Sequence, residues 1–274
     1  MSSEMTRFDG IRRLFGNVEN DRIRSAHVCV VGIGGVGSWA VEGLARSGVG
    51  RLTLVDLDDV CVSNTNRQLH ALDGEIGKAK VAVMRERCLR INPSSEIRAV
   101  QEFFLPETAD ALLAGPFDYV VDAIDHVAHK ALLLARCRAK GIPVVTTGGA
   151  GGRRDPSGIR VDDLSRTSHD GLLQKVRKEL RAHHGFPEPP ARFGIECVFS
   201  TEPLVYPWAD GTVCEQREEG TGLRLDCESG FGTASFVTGV FGLIAAGRVV
   251  QALARGGSDG GGAAESSTIR SQNR

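Results

Sequence analysis

Two cations and a carboxylate stand out in this sequence. They are Arg67 in "DLDDVCVSNTNRQ" (56–68), Lys80 in "GKAKV" (77–81) and Asp125 in "DAIDH" (122–126). Arginine and lysine neutralise charge that develops on a triphosphate, and an aspartate can hold Mg²⁺. Upstream, "GIGGVG" reads G-x-G-x-x-G at Gly32, Gly34 and Gly37, with Gly35 inside it. In such a turn the first glycine permits the tight bend. The second lets backbone approach phosphate, and the third lets the helix sit close to the strand. The helix N-terminus then offers N–H groups and the positive end of its dipole to an anion. Asp56, at the end of the next apolar segment, completes a dinucleotide fingerprint.

That fingerprint alone does not separate NAD from ATP. The residues after Asp56 do. Asp56, Asp58, Asp59, Asn64, Asn66, Arg67 and Gln68 share one segment beyond the strand's carboxyl edge, where ligands of open α/β sheets bind. Hydride transfer has no need of two cations and a separate carboxylate, whereas cleavage of a phosphoanhydride does. Each residue alone has a plainer reading. A lone Arg or Lys near a strand end is usually a solvated charge, and Asp125 precedes a predicted helix that it could cap. The joint pattern carries the distinction.

The elements that must position these residues alternate. A polar helical lead (8–25) precedes strands predicted at 27–32, 51–56, 96–103, 118–124 and 143–149. Between them lie helices that open at the glycine turn and cover 78–92, 106–115 and 129–141. The strands are apolar on both sides. This predicts an α/β fold, a Rossmann-like, doubly wound and mostly parallel sheet with helices on both faces. After residue 150 the texture changes. A strand is expected at 159–164, an amphipathic helix at 171–185, a proline-rich loop at 186–194 and a late apolar helix over 231–247. We therefore divide the domain at this point, into a nucleotide-binding half (7–150) and a second half (151–255). The Gly/Ser-rich tail (256–274) is expected to be disordered.

Composition narrows the classes. A net charge of −1 advertises no global affinity for nucleic acid, so any RNA contact must come from local patches. Candidates are Arg153, Arg154 and Arg160 after the second glycine run, and Lys175, Arg177, Lys178 and Arg181 on the amphipathic helix. The plainer reading of the latter is a solvated helix face. Seven cysteines, at 29, 61, 88, 137, 197, 214 and 227, include no C-x-x-C pair. That argues against a disulfide framework and a four-cysteine zinc site, and fits a reducing cytoplasm. Cys29 and Cys137 read as core, and composition by itself marks no reactive thiol; Cys197, Cys214 and Cys227, Cys227 foremost, are the candidates if the chemistry passes an activated group to a cysteine. The segment 231–247 is at the short edge of a membrane span and reads instead as a buried helix.

Taken together, "GxGGVGS", "DxDxVxxSNxNRQ", "GKAKV" and "DAID" resemble the ATP-dependent adenylating enzymes related to ubiquitin-activating proteins. The resemblance implies that Asp56 binds ribose, that Asn64 and Arg67 contact phosphate, that Lys80 holds the α- or γ-phosphate region and that Asp125 coordinates Mg²⁺. It also implies an N-terminal arginine reaching across a homodimer; Arg7, Arg12 and Arg13 are candidates, with Arg13 preferred. The later motifs "VVTTGGAGGRRDPSGIRV", "ECVFSTEPLVYP" and "DCESGFGTASFVTGVFG" resemble the tRNA threonylcarbamoyladenosine dehydratase branch, over about residues 7–254. That branch implies ATP with Mg²⁺ as cofactors, no zinc, and room for a monovalent cation. Its substrate is the threonylcarbamoyl carboxylate at position 37 of tRNA, with a cysteine desulfurase and a sulfur acceptor as further partners. The rivals are adenylation of a ubiquitin-like sulfur carrier's C-terminal carboxylate, an NAD-dependent oxidoreductase, and a non-catalytic sulfur-relay scaffold.

Overall fold

The computed structural model describes residues 7–218 and 231–256. Seven strands form one sheet: β1 (His27–Val31), β2 (Arg51–Val55), β3 (Glu96–Val100), β4 (Tyr119–Asp122), β5 (Val144–Thr147), β6 (Ile159–Asp163) and β7 (Glu196–Ser200). Their order is β3-β2-β1-β4-β5-β7-β6. All neighbours are parallel except the edge pair β6 and β7. A short hairpin, β8 (Tyr206–Pro207) with β9 (Val213–Cys214), lies outside the sheet.

Successive strand residues point to opposite faces. Val28 and Val30 therefore join one core, and Cys29 and Val31 the other. The first face is covered by α2 (Asn17–Ser25), α3 (Gly37–Arg46), α4 (Lys80–Ile91) and α8 (Ser235–Arg255). The second carries α5 (Ala109–Leu112), α6 (Val127–Lys140) and α7 (Gly171–His184). With both faces covered, continuous apolar strands are the stable solution. Because β5 pairs with β7, the sheet runs across the residue-150 division without a break.

Several elements differ from the sequence-based expectation. The lead is two helices, α1 (Asp9–Phe15) and α2, broken where Gly16 adopts φ +104°. Strand β3 ends at Val100, and α5 shrinks to Ala109–Leu112. The late helix begins at Ser235 and continues to Arg255, beyond the apolar run. Its extension is tethered by Arg248, which pairs with Glu196 of β7. Helix α8 is long and apolar enough to cross a membrane by composition, yet 56% of that window is buried inside the protein. It crosses α3 closely: a Cβ at Gly242 would lie 2.4 Å from the Val36 carbonyl oxygen. The tail beyond Gly256 lies outside the described residues.

Candidate nucleotide site at the switch point of the sheet

Chain order reverses between β1 and β4, which lead away to opposite edges of the sheet. A crevice opens at such a point, outside the carboxyl ends of the strands. The glycine turn leaves β1 here. Gly32 has φ +88° and its N–H donates to the Val55 carbonyl at 2.9 Å. A Cβ at Gly37 would sit 1.7 Å from the Gly32 carbonyl oxygen, so the first turn of α3 packs directly on the strand end. Gly34 is open apart from the Gln68 amide nitrogen, 3.8 Å from where its Cβ would be.

The segment after β2 folds back over this turn. Asp56 Oδ2 accepts the Ile33 N–H at 2.6 Å and Oδ1 accepts the Asp58 N–H at 2.8 Å. Burial raises its pKa, opposed chiefly by the Lys80 ammonium. Lys80 is the first residue of α4 and is buried, with Nζ 2.8 Å from Asp58 Oδ2. Asn64 is buried and its side-chain oxygen accepts the Cys61 N–H at 3.0 Å, closing a turn. Asn66 donates to the Thr233 carbonyl at 2.8 Å and accepts from Arg67 at 3.0 Å. The Arg67 guanidinium also reaches the Ser63 carbonyl at 2.7 Å. Gln68 is buried, its side-chain oxygen without a partner among the described residues.

Two residues to which the sequence assigns no role at this site hold the segment in place. Trp39 Nε1 of α3 and Thr238 Oγ1 of α8 both donate to the Arg67 carbonyl, each at 3.1 Å. His70, two residues after Gln68, is 1% exposed, with neither ring nitrogen bonded among the described residues. Burial and then Lys80 push its pKa down to about 4. These contacts link residues far apart in the chain, so no local signal could have revealed them.

Asp125 follows the end of β4, immediately beside β1 in the sheet; Ala123 N–H donates to the Val31 carbonyl at 2.9 Å. Its carboxylate is exposed and makes no hydrogen bond or ion pair among the described residues. The helix-capping alternative fails, because the N-cap of α6 is His126 and Asp125 does not cap it. The fold thus gathers, at the carboxyl ends of β1, β2 and β4, the glycine turn, the cations Arg67 and Lys80, and Asp125, an exposed carboxylate without a partner among the described residues. That arrangement can bind a nucleotide and stabilise charge on its phosphates.

A family model described as the ThiF family matches residues 9–267. The chain belongs to the ThiF family. This ThiF-family chain is 49% identical over 249 residues to the tRNA threonylcarbamoyladenosine dehydratase of Escherichia coli, covering 90% of this chain and 93% of the relative. Among solved structures, one described as TcdA (CsdL) superposes with a TM-score of 0.84 at 46% identity, covering 91% of this chain and 94% of the other. A second, the Escherichia coli dehydratase in complex with ATP, has a TM-score of 0.82 at 44% identity, covering 92% and 96%. The chain is thus an enzyme of this adenylating family, with the Rossmann-type sheet expected from its sequence.

The second half of the ThiF-family chain corrects two expectations. Arg153, expected at a tRNA contact, is only 2% exposed. Its guanidinium donates to the carbonyls of Gly149, His169 and Glu202 and lies 3.5 Å from Asp170, pinning the second glycine run. Cys197 is fully buried in β7, and burial drives its thiol well above the usual range, so it is not a reactive thiol. Cys29 and Cys88 are likewise buried, with thiols pushed up to about 12. Cys61 is exposed and Cys214 half-buried, while Cys227 lies outside the described residues.

The remaining cations divide. Lys175 and Lys178 are exposed along α7, beside a hollow of about 640 Å³ that Arg177 and Arg181 also line. Arg177 donates to the Thr167 hydroxyl, and Arg181 to the Pro187 carbonyl while stacking over Phe193. Arg154 and Arg160 are exposed. Arg13 sits on α1, mostly exposed, 3.7 Å from Asp9.

Proposed function

We propose that this chain adenylates the carboxylate of threonylcarbamoyladenosine in tRNA with ATP and drives its cyclisation, with net loss of water. One observation carries this reading: near full-length likeness to a named dehydratase, 49% identical over 93% of that relative. It is supported by the convergence of the glycine turn, Arg67, Lys80 and Asp125 at one crevice. It is also supported by the ATP complex of a relative that covers 92% of this chain.

The chemistry turns on the leaving group. A carboxylate is a poor electrophile because oxide is a poor leaving group. Attack of its oxygen on the α-phosphorus expels pyrophosphate and gives a mixed anhydride. An internal nucleophile of the same modification then attacks the acyl carbon, and AMP departs with the former carboxylate oxygen. Nucleophile and electrophile in one molecule supply the proximity advantage. In this reading the glycine turn and the N-terminus of α3 cradle phosphate. Asp56 faces the ribose, with Asp58 holding Lys80 in place. Arg67 and Lys80 neutralise developing charge, and Asn64, Asn66 and Gln68 shape the wall. Arg13 of a second copy completes the site in a homodimer.

Mg²⁺ needs few protein ligands when it also binds nucleotide phosphates; one or two carboxylates suffice. Asp125, exposed and without a partner among the described residues, fits that requirement. Bound there, the metal would neutralise phosphate charge. Phosphates of tRNA would meet Lys175, Lys178, Arg154 and Arg160, with Arg177 and Arg181 lending positive potential from their packed positions. The first half (7–150) handles the nucleotide and the second (151–255) the acceptor and the partner copy. Action in the cytoplasm, alongside a cysteine desulfurase and a sulfur acceptor, completes the proposal.

The deciding experiment incubates the protein with ATP, Mg²⁺ and tRNA carrying threonylcarbamoyladenosine, then weighs the modified nucleoside after gentle neutral digestion. Loss of one water that depends on ATP and on Arg67 is expected. An unchanged mass with ATP still bound would refute the substrate.

A further inference from the structure

Beneath the carboxyl end of β4 lies an ion pair that takes no direct part in the nucleotide chemistry. Lys130 and Asp122 are both fully buried, with Nζ 3.0 Å from Oδ2. Lysine and aspartate are almost never fully buried unless paired. Such a pair is a weak source of stability, because desolvating two charges offsets their attraction and a packed apolar pair serves a core as well. What the pair does hold is one residue's backbone. The Lys130 ammonium donates to the Ile124 carbonyl at 2.8 Å, and Asp122 Oδ1 accepts the Ile124 N–H at 3.1 Å. From β5, Thr146 donates its hydroxyl to Asp122 Oδ2 at 2.6 Å, and Thr147 donates to the Asp122 carbonyl at 3.3 Å.

Both main-chain polar groups of Ile124 are therefore taken by buried, charged partners. Ile124 is the residue before Asp125. The same short segment also walls the glycine turn: a Cβ at Gly32 would lie 2.8 Å from the Ala123 carbonyl oxygen and 3.2 Å from the Ile124 nitrogen. A shift of this backbone would move Asp125 and press on the turn together.

We infer that the Asp122–Lys130 pair is a positioning device, which locks the Ala123–Ile124 backbone so that Asp125 is presented to a metal-bound nucleotide. The inference rests on the reading of Asp125 as the carboxylate that takes Mg²⁺ with ATP. Lys130 and Asp122 touch no ligand themselves and act through that backbone.

The test is the double variant Asp122→Asn/Lys130→Met, which removes both charges at nearly constant volume. Three quantities are read: melting temperature, ATP affinity by calorimetry in Mg²⁺, and ATP affinity in EDTA. The melting temperature is expected to stay close to that of the unaltered protein, as for other neutralised buried pairs. Affinity in EDTA should hold within about twofold, while affinity in Mg²⁺ falls about tenfold, the scale typical of residues that orient a metal ligand. Unchanged affinity in Mg²⁺ would overturn the inference. So would an equal loss in both media, which would mark general support of the crevice. Thr146→Val, a milder change to the same network, should show a smaller loss with the same selectivity if the double variant does not fold. Asp125→Ala separates the two layers. If it keeps the Mg²⁺-dependent gain in affinity, the metal reading fails. If it loses that gain while the double variant keeps it, the positioning inference alone fails.

Discussion

Replacing His70 by glutamine is expected to flatten the acid limb of this protein's stability curve. His70 is 1% exposed, and neither ring nitrogen has a hydrogen-bond partner among the described residues. Burial first, and the Lys80 ammonium second, lower its pKa from 6.5 to about 4. A histidine with a folded pKa below its unfolded one gains its proton on unfolding within that window. Its contribution is complete above about pH 6.5 and is lost as pH falls toward 4. The whole span corresponds to about 3 kcal/mol, at about 1.4 kcal/mol per pK unit. Between about pH 7.5 and about pH 5 the linkage relation gives a loss of about 2 kcal/mol. Glutamine fills a similar volume and does not titrate. Urea denaturation of both proteins at both pH values isolates the difference, because the other titrating groups are common to them. The unaltered protein should lose about 2 kcal/mol more than His70→Gln over that range. An identical pH dependence in the two proteins would show that His70 does not carry the linkage, and would refute the reasoning.

Arg67→Ala should lower turnover by about a hundredfold or more if the guanidinium acts on developing phosphate charge. Its melting temperature should change little, because among the described residues the guanidinium's own bonds reach only Ser63 and Asn66 nearby; the reverse pattern would make Arg67 structural. Gly37→Ala places a Cβ 1.7 Å from the Gly32 carbonyl oxygen, so the turn must deform. Loss of ATP binding by calorimetry is expected, and normal affinity would show that the turn does not cradle the nucleotide. Arg153→Met leaves Asp170 buried without its cation and should cost about 3 kcal/mol in denaturant unfolding. Unchanged stability with weakened tRNA binding would instead return Arg153 to the RNA surface.

Much of this protein is determined locally and is therefore legible in its sequence. The glycine spacing, the apolar strands and the glycine stop at Gly141 depend on neighbours a few residues away. So the alternation of strands and helices, the parallel sheet and the glycine turn at the end of β1 follow from the order of residues. The acidic and cationic residues after β2 could be grouped in advance because one short segment contains most of them.

Tertiary structure decided the rest. Strand order places β4 beside β1, which alone brings Asp125 to the glycine turn from a distant part of the chain. Trp39 and Thr238 meet at the Arg67 carbonyl only because α8 packs across α3. The two neighbouring arginines, Arg153 and Arg154, look alike in sequence, yet one is buried against three carbonyls and the other is exposed. Nor could the sequence tell Lys130, walled in with Asp122, from the solvated lysines of other helices. A charge's partner and its burial are properties of packing between distant segments, and the local pattern of residues does not encode them.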